Sequence, residues 1–183
     1  SDMLDKDTAK KPVEQVLSEL SRKTGLTFTY VVRDTENAAL EAVRAGKADM
    51  MLGFNHDYNW AQTRGVRQTS VYLESSYRAL RKPDVTDVRT VAVEEGSYIE
   101  YRLKKEKRFT TVVCQDTREC IQAVMDGWAD AAICWTPHAE QTLYELGNHG
   151  LVYTDHNEYG GDVSIAVSRM SSFRLLPVLN KTI

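Results

Sequence analysis

Cysteine and long apolar segments are both scarce in this sequence, and each shortage excludes a class of protein. The three cysteines, Cys114, Cys120 and Cys134, are too few for a disulfide scaffold and lack the spacing of a zinc site. We expect reduced core residues, although Cys114 and Cys120 could approach each other across a strand-to-helix turn. No stretch reaches the roughly 18 consecutive apolar residues of a membrane-spanning helix. The opening residues do not read as a signal peptide.

Excess charge of either sign is also absent, since 23 Lys and Arg face 26 Asp and Glu for a formal charge of −3. This balance does not favour binding to nucleic acid or to an anionic membrane surface. Apolar residues make up 42% and charged residues 27%, as in globular proteins. The four histidines are scattered, and neither a nucleophile–base pair nor a glycine-rich phosphate loop is present. We therefore expect no catalytic residues, no metal and no cofactor.

A repeat at a constant offset of 81 residues is the most informative positive feature. Residues 28–53 and 109–134 share nine identities over 26 aligned positions, without a gap. Each copy reads as a strand, a capped helix that ends at a glycine, and a second strand of uniformly apolar residues. The predicted strands lie at 27–32 and 48–53 in the first copy and at 109–113 and 129–134 in the second. A strand–helix–strand order predicts a crossover connection within a parallel sheet.

One element of the second copy has no counterpart in the first. A strand at 88–93 and a helix at 97–107 lead into the second copy, so the offset predicts a strand at 7–12. The residues there read DTAKKP, and their proline and three charged side chains do not favour a strand. We therefore predict that the first lobe lacks its leading strand, or that another chain or an omitted segment supplies it.

The order of the elements predicts a two-lobed α/β protein. We place lobe 1 at residues 1–80, lobe 2 at 81–155, and a return strand with a C-terminal helix that packs on lobe 1 at 156–183. Each lobe is expected to be a mostly parallel sheet flanked by helices, with two hinge strands joining the lobes. Outside the repeat, we predict helices at 13–24, 137–146 and from Ser171, and extended segments at 72–81, 151–154 and 163–168.

Three motifs occur in a fixed order along the chain: GKADMMLGFNHDYNWAQTRGVRQTSVYLESSYRALRK, then VRTVAVEEGSYIEYRL with VVCQDTRECIQAVMDGWADAAICWTP, and finally VSIAVSRMSSFRLLPVLNKTI. They resemble type 2 periplasmic solute-binding proteins of the amino-acid-type family. The resemblance covers about residues 13–183 and implies a Venus flytrap fold that holds a small molecule between its lobes. Members of the family deliver solutes to transporters or serve as extracytoplasmic sensor domains of histidine kinases and diguanylate cyclases. The family's opening strand and its "PY" loop are absent here.

Candidate binding residues follow the predicted parallel strands, because ligands of open sheets lie beyond the carboxyl ends of the strands. Gly96-Ser97 also opens a helix whose N–H groups suit a polar acceptor, although Ser97 could serve as an N-cap alone. The resemblance adds an element, QTSVY, that is similar to the family's "T/S-x-P-Y". The predicted ligand-binding residues are Trp135, Trp60, Phe54, Asn55, Thr69, Ser97, Thr136 and Tyr72.

Two tryptophans stand where the family's amino-acid binders carry charged anchors. The resemblance places Trp60 at or near the arginine that holds an α-carboxylate, and Trp135 at the aspartate that holds an α-ammonium. Arg64 and Arg67 fit the arginine spacing poorly. An unpaired charge removed from water costs several kcal/mol, so an ordinary α-amino acid is not expected. Indole rings favour a flat, apolar or cationic ligand, unless they fill the cleft themselves.

Together these features predict a non-enzymatic, extracytoplasmic sensor domain that binds a small molecule and is anchored to the membrane through a parent signalling protein. Ligand binding would shift the population of lobe arrangements. Two alternatives stay open. The chain could be the substrate-binding component of an ABC transporter. It could also be a degenerate interaction module, dimerising through the edge that the missing strand leaves.

Overall fold

The computed structural model describes residues 10–154 and 158–183, which divide into two units. Unit 1 contains the residues up to Ser75 together with Gly161–Ile183, and unit 2 contains Ser76–Gly160. The chain passes from unit 1 to unit 2 after Ser75, five residues before the predicted lobe boundary at 80/81. It returns to unit 1 after Gly160, five residues beyond the second predicted boundary. The second predicted boundary, at 155/156, lies outside the described residues.

Helices and short strands alternate along most of the chain. In chain order they are α1 (Lys10–Thr24), α2 (Glu36–Arg44), β1 (Met50–Asn55), α3 (Tyr58–Arg64), β2 (Arg67–Gln68), β3 (Leu73–Ser75), β4 (Tyr77–Arg81), β5 (Thr90–Glu94), α4 (Tyr98–Glu106), β6 (Thr110–Cys114), α5 (Thr117–Met125), β7 (Ala131–Trp135), α6 (Thr136–Leu146), β8 (Val152–Tyr153), β9 (Gly161–Val167) and α7 (Arg169–Thr182).

Unit 2 has the parallel sheet that the repeat predicts. Its strand order is β6-β5-β7-β4-β8, and β5 pairs in parallel with β6 on one side and with β7 on the other. Helix α5 connects β6 to β7, which confirms the predicted crossover. β4 closes the other side of the sheet by pairing antiparallel with β7 and β8.

The two helices of the repeat, α2 and α5, begin and end 81 residues apart. Thr35 caps α2 and Asp116 caps α5, and each side chain accepts a hydrogen bond from the backbone N–H three residues further on. Gly46 and Gly127 then adopt φ angles of 73° and 82°, a left-handed conformation that other residues rarely adopt. The two copies therefore share capping chemistry as well as helix length.

Unit 1 departs from the predicted parallel sheet. β9 pairs antiparallel with β1, β2 and β3, and the predicted strand at 27–32 is not formed. In unit 2 the equivalent strand, β6, is held by β5, whose counterpart by the offset is residues 9–13. Residues 10–13 belong to α1, and residues 7–9 of the predicted position lie outside the described residues. Among the described residues, β5 therefore has no counterpart strand beside segment 27–32.

The extended segment predicted at 72–81 divides into two strands that belong to different sheets. β3 ends at Ser75 and pairs with β9 in unit 1, whereas β4 begins at Tyr77 and pairs with β7 in unit 2. Sequence periodicity identifies extended backbone, but it does not show where a strand leaves one sheet for another.

Each unit has its own core. Leu17 and Leu20 of α1 pack with β9 and with Leu179 of α7 in unit 1. In unit 2, Cys114, Cys120 and Cys134 are free thiols buried among the apolar residues between the sheet and α5. Hydrogen bonds to the other two thiols, together with burial, raise the pKa of Cys120 far above its ordinary value. None of the helices described here is both long and apolar enough to cross a membrane.

Candidate functional site

The carboxyl ends of β5, β6 and β7 meet at one edge of the unit 2 sheet, where Ser97 opens helix α4. The Ser97 Oγ atom accepts a hydrogen bond from the backbone N–H of Glu100 at 3.2 Å, and the Glu100 carboxylate accepts one from the N–H of Gly96 at 2.9 Å. This arrangement differs from a standard capping box by one residue, because the N–H that Glu100 binds belongs to Gly96, the residue before the N-cap. The helix N-terminus, which could otherwise attract an anion, therefore already holds a carboxylate of its own.

Helix α5 begins at the same edge and is closed in the same way. The Asp116 carboxylate accepts a hydrogen bond from the N–H of Glu119 at 2.8 Å, and the Glu119 carboxylate accepts one from the N–H of Gln115. Two carboxylates thus lie against the dipole of this second helix. An anionic ligand would have to displace these carboxylates or would be repelled by them.

Together with the end of β5, these caps make the edge acidic. Glu94 is half-buried and accepts a hydrogen bond from the Thr117 hydroxyl at 3.2 Å, and Glu95 beside it is exposed. Lys104 pairs with Glu100 at 2.7 Å and so neutralises one of the carboxylates. We call this group the acidic edge; its members are Glu94, Glu95, Glu100, Asp116 and Glu119.

Trp135 stands at the end of β7, on the same edge of the sheet, and its side chain is half-buried. Its ring meets that of His138 edge-on, with ring centroids 5.1 Å apart. The next residue, Thr136, begins α6 and lies within hydrogen-bond distance of the Ser76 hydroxyl, at 3.0 Å between the oxygen atoms. Because the backbone N–H of Thr136 also donates to the Ser76 carbonyl oxygen at 2.8 Å, the end of β7 is fixed to the start of β4.

In unit 1, Phe54 and Trp60 form a buried aromatic pair. The two rings stack with centroids 6.3 Å apart and an angle of 10° between their planes, and the side chains are only 1% and 2% exposed. The guanidinium of Arg64 lies over the indole, 5.4 Å from its centroid. That guanidinium also donates to Asn37 of α2 at 2.6 Å, so Arg64 is held by contacts within unit 1.

The remaining candidates of unit 1 are Thr69, Tyr72 and Asn55. The first two form hydrogen bonds within unit 1, and the third is buried there. The Thr69 hydroxyl accepts from the N–H of Ile165 at 2.9 Å and donates to the carbonyl oxygen of Ser70 at 2.8 Å. The Tyr72 hydroxyl accepts from the N–H of Gly53 at 2.9 Å, and burial raises the pKa of Tyr72 to about 12. Asn55 is buried at the end of β1.

The structure therefore collects the candidates into two sets. Ser97, Trp135 and Thr136 share the carboxyl edge of the unit 2 sheet, and the other five lie around β1 and β9 in unit 1. Sequence reasoning missed the acidic edge, although the spacing Ser97-x-x-Glu100 is a recognisable capping box and Asp116-x-x-Glu119 has the same spacing. No grouping of three or more His, Cys, Asp or Glu side chains within the described ranges is arranged to hold a metal ion.

Comparison with solved structures identifies the architecture. The GluR0 ligand-binding core in complex with L-glutamate superposes with a TM-score of 0.73 at 15% identity, over 93% of this chain and 80% of that one. The chain has the Venus flytrap fold of type 2 periplasmic solute-binding proteins. The substrate-binding protein of an amino acid ABC transporter gives a TM-score of 0.70 at 19% identity, over 93% and 79% of the two chains.

A third similar structure is a domain of a larger protein. The periplasmic VFT2 domain of Bordetella pertussis BvgS gives a TM-score of 0.68 at 21% identity, over 93% of this chain and 76% of that one. No protein-family profile and no curated protein sequence matches the chain. These superpositions establish a shared fold, whereas the ligand has to be argued from the residues present.

Proposed function

We propose that this protein is an extracytoplasmic small-molecule-binding domain, that its ligand is a cation with flat or apolar character, and that it acts as the sensor part of a signalling protein. The fold supports a binding role, because the similar structures include binding proteins for amino acids. The observation that carries the choice of ligand is Trp135, which stands at the same end of the unit 2 sheet as the acidic edge, at the position that the sequence resemblance assigns to the aspartate of an amino-acid binder.

The electrostatics of unit 2 favour a cation over an anion. Both helix N-termini at the edge are already occupied by carboxylates, Glu100 on α4 and Glu119 on α5. Glu94 and Glu95 add negative charge at the end of β5. An indole face attracts a cation by about 0.5–2 kcal/mol, more when the contact is desolvated. Trp135 and the acidic edge therefore both favour a cationic ligand.

The two sets of candidate residues have different parts in this proposal. Trp135 contacts the ligand, and Ser97 and Thr136 shape the surface around it. Phe54 and Trp60 are buried, and the hydroxyls of Thr69 and Tyr72 form hydrogen bonds inside unit 1, so these residues stabilise unit 1 and are not proposed to contact the ligand. Asn55 belongs with them, at the end of β1.

The sensor role is favoured over delivery to a transporter by two considerations. The similarity to the periplasmic VFT2 domain of BvgS shows that this fold occurs as one domain of a larger protein. By the sequence resemblance, Trp60 and Trp135 also stand where an amino-acid carrier would have its charged anchors. The transport alternative predicts a free solute-binding protein that is encoded with membrane transporter subunits. Sequencing the complete gene and its neighbours would distinguish the two roles.

Titration with a defined set of probes tests the ligand proposal. Benzyltrimethylammonium (an aromatic cation), benzoate (an aromatic anion) and L-glutamine (a zwitterion) would be followed by calorimetry and tryptophan fluorescence. We expect binding of the cation and much weaker binding of the other two. Trp135→Ala should weaken cation binding about 2- to 30-fold, which is the range of a cation–π contact.

Trp128→Ala is the matched control, because Trp128 also lies in unit 2 but is 77% exposed and lies between α5 and β7, at the opposite end of β7 from Trp135. It should leave the affinity for the cation unchanged. Equal weakening by both variants would show that the cation is not bound at Trp135. Tight binding of L-glutamine would contradict the proposed ligand class.

A further inference from the structure

The three cysteines of the chain all lie in unit 2, towards the carboxyl edge of its sheet. Cys114 is the last residue of β6, Cys120 is the fourth residue of α5, and Cys134 precedes the last residue of β7. They belong to one apolar core, and their exposed fractions are 4%, 0% and 5%. The proposed cation site uses none of these thiols.

The repeat shows that the fold does not need sulfur at these positions. Subtracting 81 from the three residue numbers gives Arg33, Ala39 and Gly53 in unit 1. Ala39 takes the place of Cys120 on α2, and it is buried there as Cys120 is on α5. The three thiols are therefore a property of the second copy alone.

Cys120 contacts both of the other cysteines. Helix α5 packs against β6 and β7, which places its thiol between the two that the strands carry. Hydrogen bonds join the Cys120 thiol to the thiols of Cys114 and Cys134. A disulfide needs only a small movement of two side chains that already touch. Since Cys120 can bond to one partner at a time, two pairings have to be compared.

Strand connectivity favours Cys114 as the partner of Cys120. Among the described strands of unit 2, β6 lies at the outside of the sheet, whereas β7 is held by β5 on one side and by β4 on the other. Cys134 is fixed opposite Arg78 in the β4 ladder. Cys114 lies six residues before Cys120, and Cys134 lies fourteen after it. The shorter loop costs less entropy to close.

We propose that Cys114 and Cys120 form a disulfide when the chain folds in an oxidising compartment, and that Cys134 remains a thiol. The oxidant is the disulfide of another molecule, either a small disulfide or a thiol–disulfide exchange protein. The Cys114 thiolate attacks one sulfur of that disulfide, whose S–S bond breaks and releases a first thiolate. The Cys120 thiolate then attacks the Cys114 sulfur and expels the second. The two protein thiols lose two protons and two electrons, which convert the oxidant into two thiols.

Closure of the disulfide has to precede the final packing of unit 2. In the folded, reduced protein the three cysteines are at most 5% exposed, so a disulfide oxidant does not reach their sulfur atoms. For the same reason, a bond formed during folding is protected from later reduction. The redox state of the pair therefore records the conditions under which the chain folded.

The disulfide closes a loop around two members of the acidic edge. Asp116 and Glu119 lie between the two cysteines, and their carboxylates accept backbone hydrogen bonds at the start of α5. A cross-link from β6 to α5 holds these carboxylates in the arrangement that the proposed cation site uses. This consequence rests on the proposed function, whereas the pairing of the cysteines does not.

Oxidative refolding of the 183-residue protein tests the pairing. The protein is unfolded and reduced, refolded in a mixture of reduced and oxidised glutathione, alkylated, and digested with trypsin and Asp-N. Cleavage after Arg118 and before Asp126 places the three cysteines on separate peptides for mass spectrometry. We expect one disulfide, between Cys114 and Cys120, and an alkylated Cys134. The absence of a disulfide, or a disulfide that includes Cys134, would overturn the inference.

Two alanine variants form a matched pair for the same experiment. Cys134→Ala keeps both partners, so the refolded protein should still lose two hydrogens on oxidation. Cys120→Ala removes the shared partner and should leave two thiols that are alkylated. Loss of the disulfide in Cys134→Ala, or its retention in Cys120→Ala, would show a different pairing. If Cys120→Ala does not fold, the wild-type peptide map and Cys134→Ala still decide the question.

Hydrogen exchange without ligand tests the consequence for the acidic edge. Amides 115–120 should exchange about tenfold more slowly in the oxidised protein than in the reduced protein, because the cross-link restricts opening at the start of α5. Residues 50–55 of unit 1 are the internal control and should not change. Equal exchange at 115–120 in both forms would show that the bond does not hold the acidic edge. Because no ligand is present, this result is independent of whether benzyltrimethylammonium binds.

Discussion

Replacing Trp60 tests whether this indole belongs to the unit 1 core. The side chain is 2% exposed, stacks on Phe54 at 6.3 Å and lies under the guanidinium of Arg64. Truncating a buried tryptophan to alanine costs about 3–5 kcal/mol, a large share of the 5–15 kcal/mol that stabilises a typical domain. Trp60→Phe retains an aromatic ring and most of the apolar area, so we expect a loss of about 1–2 kcal/mol.

Urea unfolding followed by circular dichroism gives the free energy of unfolding of each variant. Trp60→Ala could fail to fold, so Trp60→Phe and Phe54→Leu provide measurable intermediate steps. Trp128→Ala is the control, since a side chain that is 77% exposed should change stability by less than about 0.5 kcal/mol. If Trp60→Ala is as stable as Trp128→Ala, the indole does not belong to the unit 1 core.

Three further predictions follow from individual contacts. The N–H groups of Thr90 and Arg89 lower the pKa of Asp130, so its contribution to stability is present above about pH 4, the unfolded pKa, and is lost as pH falls through the lower folded pKa. Urea titrations should show less acid-induced loss of stability between about pH 4 and 2 for Asp130→Asn than for the wild type. The buried Cys120 thiol should react with Ellman's reagent only when the protein unfolds, and fast reaction of every thiol in native buffer would contradict its placement. Thr69→Val leaves the N–H of Ile165 without its acceptor and should cost about 1–3 kcal/mol in urea unfolding, whereas an unchanged midpoint would show that this bond is dispensable.

The repeat carried most of what the sequence could predict about the fold. The caps Thr35 and Asp116, the glycine stops and the parallel order of β6, α5 and β7 depend on local chemistry, and local chemistry is visible in residue types. The predicted strand at 27–32 is not formed, and the reason lies outside the segment itself. Its residues have the β-branched pattern of a strand, but a strand exists only where a neighbour supplies a ladder.

The candidate site was less accessible to sequence reasoning. Trp135 and Ser97 could be placed at strand ends because the carboxyl edge of a parallel sheet is predictable from element order. The burial of Trp60 against Phe54 depends on how α3 packs on β1, which periodicity over a seven-residue helix does not reveal. The acidic edge requires knowing that the capped starts of α4 and α5 lie side by side, which follows only from the pairing of β5 with β6.

An amide and indole NMR titration with benzyltrimethylammonium tests the central claim most directly. We expect the largest shift changes at the Trp135 indole N–H and at the backbone of residues 94–97, 115–117 and 135–136, with little change at the Trp60 indole. Saturable shifts confined to unit 1, or no saturable shift anywhere, would contradict a cation site built from Trp135 and the acidic edge.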